Sequence, residues 1–414
     1  MNSLKTSFHP TLLRQLAAQH GTPLWVYDAA TIRQRIASLR AFDVIRFAQK
    51  ANSNTHLLRL MRDEGVLADA VSLGEIERAY AAGFRPSAVG TSGVVLTTDV
   101  LDAATLARVV QDRIPVNAGS IDMLHQLGKQ SPGHPVWLRI NPGFGHGHSQ
   151  KTNTGGEHSK HGIWHADLPA ACEAVTRHGL KLVGIHMHIG SGVDYGHLQQ
   201  VCGAMVALAA RVPLPIEGIS AGGGLSTPYL PGDQHVDVAH YFSLWDAARR
   251  EIEAVRGHAI QLEIEPGRYL VAEAGVLLAE VRAVKDMGRN HFVLVDAGFN
   301  DLMRPALYGS HHEMSIVPKD GALRSTRPTV VAGPLCEAGD VFTQSAGGEV
   351  LQRDLPEARV GDLLVIHDAG AYGAAMSSNY NSRPLAPEVL VDGEQVRLIR
   401  RRQHIRELLT LEEV

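Results

Sequence analysis

The chain has 414 residues, 44% of them apolar and 20% charged, and a formal net charge of -4. That length predicts two domains, or one large barrel with a second unit, and a charge so near zero excludes a nucleic-acid or membrane-surface binder on bulk electrostatics. Cys172, Cys202 and Cys336 are an odd set without CxxC spacing, and "MNSLKTSFHPTLLRQ" lacks the apolar core of a signal peptide; no disulfide framework or zinc site is expected, and the expected compartment is the cytoplasm.

From about Thr31 onward short β-like runs alternate with amphipathic helix-like runs. The apolar spacing predicts strands at "VIRFAQ", "LADAV", "SAVGTS", "IPVN", "PVWLRIN", "LVGIHMH", "IEGISA" and "IQLEIE", with helices such as "THLLRLMRDEG" and "LGEIERAYAAG" between them. Eight βα units predict an α/β fold, a (β/α)8 TIM-type barrel over residues 30–270, with an open doubly wound sheet as the competing arrangement because periodicity does not reveal closure. After "EPGR" and a helix-like run, "YLVAEAGVLLAEV", the texture changes. "HFVLVDAG", "PTVVAG", "GDLLVIHD" and a "VLVDGEQVRLIR" hairpin turning on Asp392 and Gly393 predict an antiparallel β domain over residues 271–414.

Barrel enzymes assemble their sites at the C-terminal ends of the strands. Here the first strand ends at Lys50, the second runs through Asp69 toward Ser72, the sixth ends in "HMHIGSG", the seventh in "AGGGLS" and the eighth in "EPGR". Each has a plain structural reading. Gly222, Gly223 and Gly224 can simply turn the chain, His188 can be a core histidine, and Glu265 and Arg268 can pair across a turn. Their convergence on one barrel mouth points instead to a pyridoxal phosphate site. Lys50 would form the Schiff base, the glycine amides would hold the phosphate, His188 would lie against the ring and Glu265 would face the pyridine nitrogen.

The motifs "FAQKAN", "SLGEIERA", "NPGFGHGHSQKTNTGGEHSKHGI", "GIHMHIGSG", "AGGGLS", "EIEPGR", "AGFNDLMRPALYGS", "GPLCEAGDVF" and "GAYGAAMSSNYNSRP" resemble the diaminopimelate decarboxylase family. That family lies in the alanine racemase and ornithine decarboxylase group of pyridoxal phosphate enzymes, and the resemblance runs over essentially the whole chain. It implies Lys50 as the Schiff-base lysine, Glu265 on the pyridinium, and Ser191, Gly224, Gly267, Arg268 and Tyr372 around the cofactor. It also implies that residues 1–29 join the β domain, that the protein is a homodimer with shared active sites, and that Cys336 enters the opposite subunit's site, where it can donate a proton.

Physical chemistry narrows the reaction. A carboxylate at the ring nitrogen keeps it protonated and makes the ring a strong electron sink, which favours decarboxylation over racemization. At the far end of the substrate, Arg304 and Tyr308 of "DLMRPALY", with Arg268 and Tyr372, would take a distal carboxylate, and Glu337 of "GPLCEAGD" a distal ammonium. That pairing predicts a diaminopimelate-type substrate, and the resemblance implies its meso form, with the D-configured centre reacting to give L-lysine and CO2. The alternatives are a decarboxylase of ornithine, arginine or carboxynorspermidine, and a noncatalytic pyridoxal phosphate protein. The loop carrying His146, His148, His158, His161 and His165 is expected to be a lid rather than a metal site, because no carboxylate or cysteine spacing accompanies it. In "SKHGI", His161 stands where the family has phenylalanine.

Overall fold

The computed structural model describes residues 7–87, 90–145, 154–188 and 194–413. The chain divides into two compact units, Arg35–Ser226 with His235–Tyr269, and Met1–Gln34 with Thr227–Gln234 and Leu270–Val414.

Among the described residues the first unit is built on eight parallel strands: β1 (Val44–Ala48), β2 (Leu67–Ala70), β3 (Val94–Thr98), β4 (Val116–Ala118), β5 (Pro135–Asn141), β6 (Lys181–His186), β7 (Gly218–Ser220) and β8 (Gln261–Ile264). Each pairs with the next, and Glu263 and Ile264 of β8 pair with Val44 and Ile45 of β1, so the sheet closes into a barrel. The third strand is not "SAVGTS". The β-branched run Val94–Thr98 takes that place between β2 and β4, while the described part of "SAVGTS" is turn and loop. Helices between the strands open on side-chain caps: Asn54, Ser72, Asp102, Ser120 and Asp237 each accept a backbone N–H of the first turn. The polar segment behind Lys50 is thus the start of a helix, Thr55–Asp63.

Trp137 occupies a tight place among the strands. A Cβ at Gly184 would lie 2.4 Å from its ring, which is why β6 carries a glycine there. On the same register a polar layer forms: Arg139 stands opposite His186, His186 opposite Ser220, and Ser220 opposite Glu263. Residues opposite one another on neighbouring strands share a face, so these side chains project together.

The second unit is a mixed sheet centred on Leu24–Asp28, which runs antiparallel to Gly275–Met287 and parallel to Glu388–Asp392. Asn290–Val295 also runs parallel to Thr326–Ala332, so the expected antiparallel domain contains parallel pairs. The helix-like run "YLVAEAGVLLAEV" becomes a short helix, Arg268–Val271, followed by the long strand from Gly275. Pairing on both sides, to Leu24–Asp28 and to Leu363–Ile366, outweighs the helical spacing of that run. The hairpin at Asp392 and Gly393 forms, with Gly393 at φ 61°. Leu13 and Leu16 of the helix Pro10–His20 complete a core with Leu24, Val26, Leu278 and Val389.

Candidate active site

At the C-terminal end of β8, Glu265 is buried with both oxygens engaged: His186 Nε2 donates to Oε2 at 2.8 Å and Ser220 Oγ to Oε1 at 3.0 Å. Burial alone would push this carboxyl upward, but the electrostatic pull of His186, the hydrogen bonds from His186 and Ser220, and the charge of Arg46 outweigh it and hold Glu265 below the usual carboxylate range. Arg46 on β1 is itself paired with Glu263, Nε to Oε2 at 2.7 Å and Nη2 to Oε1 at 3.1 Å, and its Nη1 reaches the Ser92 carbonyl at 2.7 Å.

Lys50 lies just beyond β1, in the single helical turn Gln49–Ala51, with its side chain exposed. Asp69, paired in register with Ala48, is buried beside it. Burial first, then the charge of Glu265, raises the Asp69 carboxyl well above its ordinary value despite Thr97 and Lys50. Its Oδ1 has no hydrogen-bond partner among the described residues. His188 accepts the Gly223 N–H at Nδ1, 2.7 Å away, so its ring hydrogen is on Nε2. Burial, then the charge of Lys50, holds this imidazole well below its ordinary pKa.

The glycines act differently from one another. The Gly222 amide donates to Ser220 Oγ at 3.1 Å and the Gly223 amide to His188, so two of the three amides expected at a phosphate orient side chains instead. A Cβ at Gly222 would meet the Met187 carbonyl at 2.4 Å and one at Gly223 the Glu265 carbonyl at 2.6 Å. Gly224, at φ 104°, has an amide without such a bond among the described residues. Gly267 packs close to β1, where a Cβ would lie 3.2 Å from those of Ala48 and Ala51, and Arg268 opens the next helix, half-buried. Ser191 lies outside the described residues.

In the second unit Arg304 is buried at the start of the helix Arg304–Tyr308. Its Nη1 donates to Tyr229 Oη at 2.9 Å and to His312 Nε2 at 3.2 Å, and Nη2 to Ser310 Oγ at 3.3 Å. Tyr308 ends the helix, half-buried. Cys336 and Glu337 are exposed on the turn before Asp340, the Cys336 amide donating to Asn381 Oδ1 at 2.8 Å, while Tyr372 is half-buried at φ 55°. The other two cysteines are buried in helices.

The histidines of the expected lid diverge. His146 and His148 lie outside the described residues, His158 is exposed, His161 Nδ1 pairs with Asp99 and His165 packs on Trp164. Among the described residues no group of three His, Cys, Asp or Glu side chains gathers as a metal site. Sequence reasoning passed over His186, Ser220, Arg46, Tyr229 and His312. The signal for His186 was present in "HMH": two residues apart in an extended strand share a face. Arg46, a charge inside an apolar strand, called for a buried partner.

The donor set fits pyridoxal phosphate. An ionised carboxylate, an amine, a neutral imidazole and, among the described residues, a glycine amide and a carboxylate oxygen without hydrogen-bond partners meet at one end of the barrel, matching a pyridinium, an aldehyde and a phosphate. The family described as "Pyridoxal-dependent decarboxylase, pyridoxal binding domain" matches residues 29–272. The diaminopimelate decarboxylase of Escherichia coli strain K12 is 65% identical over 403 residues, 97% of this chain and 96% of that protein. That of Streptomyces coelicolor is 65% identical over 402 residues, 97% and 91% of the two chains. A crystal structure of a diaminopimelate decarboxylase superposes with a TM-score of 0.96 at 64% identity, over 99% of this chain and 98% of the other. The Helicobacter pylori enzyme complexed with L-lysine gives 0.84 at 29% identity, over 97% and 99%. The chain belongs to the pyridoxal-dependent decarboxylases, and within them to the diaminopimelate decarboxylase family.

Proposed function

We propose that the chain decarboxylates meso-diaminopimelate at its D-configured centre, giving L-lysine and CO2. The observation that carries this reading is Glu265, an ionised carboxylate with a donor on each oxygen. When bound, pyridoxal phosphate supplies an electron sink for the pair left behind by CO2. Glu265 keeps the sink strong by holding a proton on the ring nitrogen. Lys50 would anchor the cofactor through Nζ, with Asp69 beside it, and His188 would face the ring. Ser191, Gly224, Gly267, Arg268 and Tyr372 would surround the cofactor, while Gly222 and Gly223 orient Ser220 and His188.

Arg304, Arg268, Tyr308 and Tyr372 bind the distal carboxylate, and Glu337 the distal ammonium. A simple diamine precursor would leave the guanidinium without its anion, a loss that discriminates strongly in a desolvated site. Cys336 returns a proton to the carbon that lost CO2. The protein works as a cytoplasmic homodimer in which Cys336 and Glu337 serve the other copy's barrel; three unpaired cysteines support a reducing compartment. Among the described residues no helix is long and apolar enough to cross a membrane. CO2 release from a panel of amino acids tests the reading. Release from meso-diaminopimelate is expected, and faster release from lysine, ornithine or arginine would replace it.

A further inference from the structure

We propose that His186 is a positioning residue: it fixes Glu265 as an aimed carboxylate and thereby sets the protonation of the cofactor ring nitrogen, with Ser220 as its counterpart on the other oxygen. This rests on the reading of the barrel mouth as a pyridoxal phosphate site.

His186 ends β6, Ser220 stands opposite it at the end of β7, and Glu263 stands opposite Ser220 on β8. Glu265 follows Glu263 by two residues, so three neighbouring strands deliver an imidazole, a hydroxyl and a carboxylate to one face. All three residues are buried, with His186 and Ser220 each 1% exposed. Water therefore does not supply the donors that a buried carboxylate requires.

The direction of each hydrogen bond is determined. Glu265 as a carboxylate only accepts, so the hydrogen in its 2.8 Å bond belongs to His186 Nε2. His186 Nδ1 is buried with no partner among the described residues. Ser220 Oγ accepts the Gly222 N–H at 3.1 Å, which turns its own hydrogen toward Glu265. Each Glu265 oxygen thus receives one donor and keeps another lone-pair direction for the ring nitrogen. Both donors favour the ionised form, and together they stop the carboxylate from rotating away. Without His186, Glu265 would compete for the proton it is meant to leave on the ring.

The test reconstitutes the protein with pyridoxal phosphate carrying 15N in the ring and reads the ring-nitrogen shift beside steady-state kinetics. In the unaltered protein the shift should be that of a pyridinium. In His186→Leu it should move toward unprotonated pyridine, with kcat falling roughly ten- to a hundredfold and KM staying within about twofold. His186→Gln, whose amide reaches the Nε2 position, should restore the pyridinium shift, and Ser220→Ala should move it in the leucine direction by less. Should the leucine variant not fold, His186→Asn, whose amide stops short of Glu265, replaces it; equal shifts in the Asn and Gln variants then overturn the inference. A pyridinium signal unchanged in folded, cofactor-loaded His186→Leu also overturns it. Failure of the unaltered protein to bind the cofactor would instead remove the reading of the site on which the inference stands.

Discussion

The Arg304 guanidinium lies 4.7 Å from the centroid of the Tyr229 ring and donates to the same residue's hydroxyl at 2.9 Å. Tyr229 belongs to Thr227–Gln234, a segment that follows the glycine strand in sequence yet groups with the unit containing Arg304. A planar cation held by a ring and a phenol has little freedom left to reorient. Tyr229→Phe keeps the ring and removes the acceptor. It should raise KM for meso-diaminopimelate about fivefold, the effect of roughly 1 kcal/mol of hydrogen bonding, with kcat nearly unchanged. An unaltered KM would show that Tyr229 does not orient the arginine for substrate.

His312 makes stability depend on pH. It is fully buried, donates from Nδ1 to the His367 carbonyl at 2.9 Å and faces Arg304 with Nε2. Burial, then the charge of Arg304, holds its pKa well below the ordinary 6.5. The unfolded chain takes up this proton as the pH falls through 6.5 and the folded chain does not, so stability is full above that value and declines as the pH drops toward the folded pKa. The decline should approach about 1.4 kcal/mol per pH unit for this one group. Urea unfolding between pH 7.5 and 5 compares the protein with His312→Gln, whose slope should be shallower by about one proton. Identical slopes would mean that His312 is not the titrating group.

The Arg46 and Glu263 pair lies within the barrel, each residue 2% exposed. Removing one partner strands the other charge. Glu263→Leu or Arg46→Met should each cost about 3–5 kcal/mol, whereas Glu263→Leu combined with Arg46→Met should cost far less than the sum. Chemical denaturation of all four proteins closes the cycle. Additive losses would show that the two side chains contribute independently.

The proposed shared site can be tested by complementation. Lys50→Ala and Glu337→Ala homodimers should each be nearly inactive. Refolded together in equal amounts, half the dimers are mixed, and each mixed dimer has one site with both lesions and one with neither, so activity should return to about a quarter of the unaltered value. No recovery, with mixed dimers demonstrated by a tag on one chain, would assign Lys50 and Glu337 to the same subunit's site.

The barrel was legible because seven of its strands lie in short, largely apolar runs at the expected spacing; the exception, "SAVGTS", lies just ahead of the true strand Val94–Thr98. The run "YLVAEAGVLLAEV" misled because helical spacing is a local property, whereas Gly275–Met287 is held by partners from both ends of the chain. At the site, residues whose chemistry is conspicuous at a strand end, Lys50 and Glu265, could be read directly. Ser220 could not, since a serine inside a strand gains meaning only from what the neighbouring strands bring beside it, and His186 was signalled only by its two-residue spacing from His188. The glycines illustrate the same limit: "AGGGLS" advertises amides, but only the backbone path reveals that Gly222 and Gly223 have already committed theirs.

Leu24–Asp28 lies between Gly275–Met287 and Glu388–Asp392 in its sheet. On the ribosome this strand emerges before the barrel and is among the last to find its neighbours, because both flanks are synthesised after the entire barrel. Until then it is an apolar strand with two open edges, the kind of surface that invites pairing with other nascent chains. Completion of the C-terminal hairpin is therefore the event that ends this exposure, and a ribosome stalled before Glu388 would release a chain whose barrel strands are all present but whose second sheet lacks a wall.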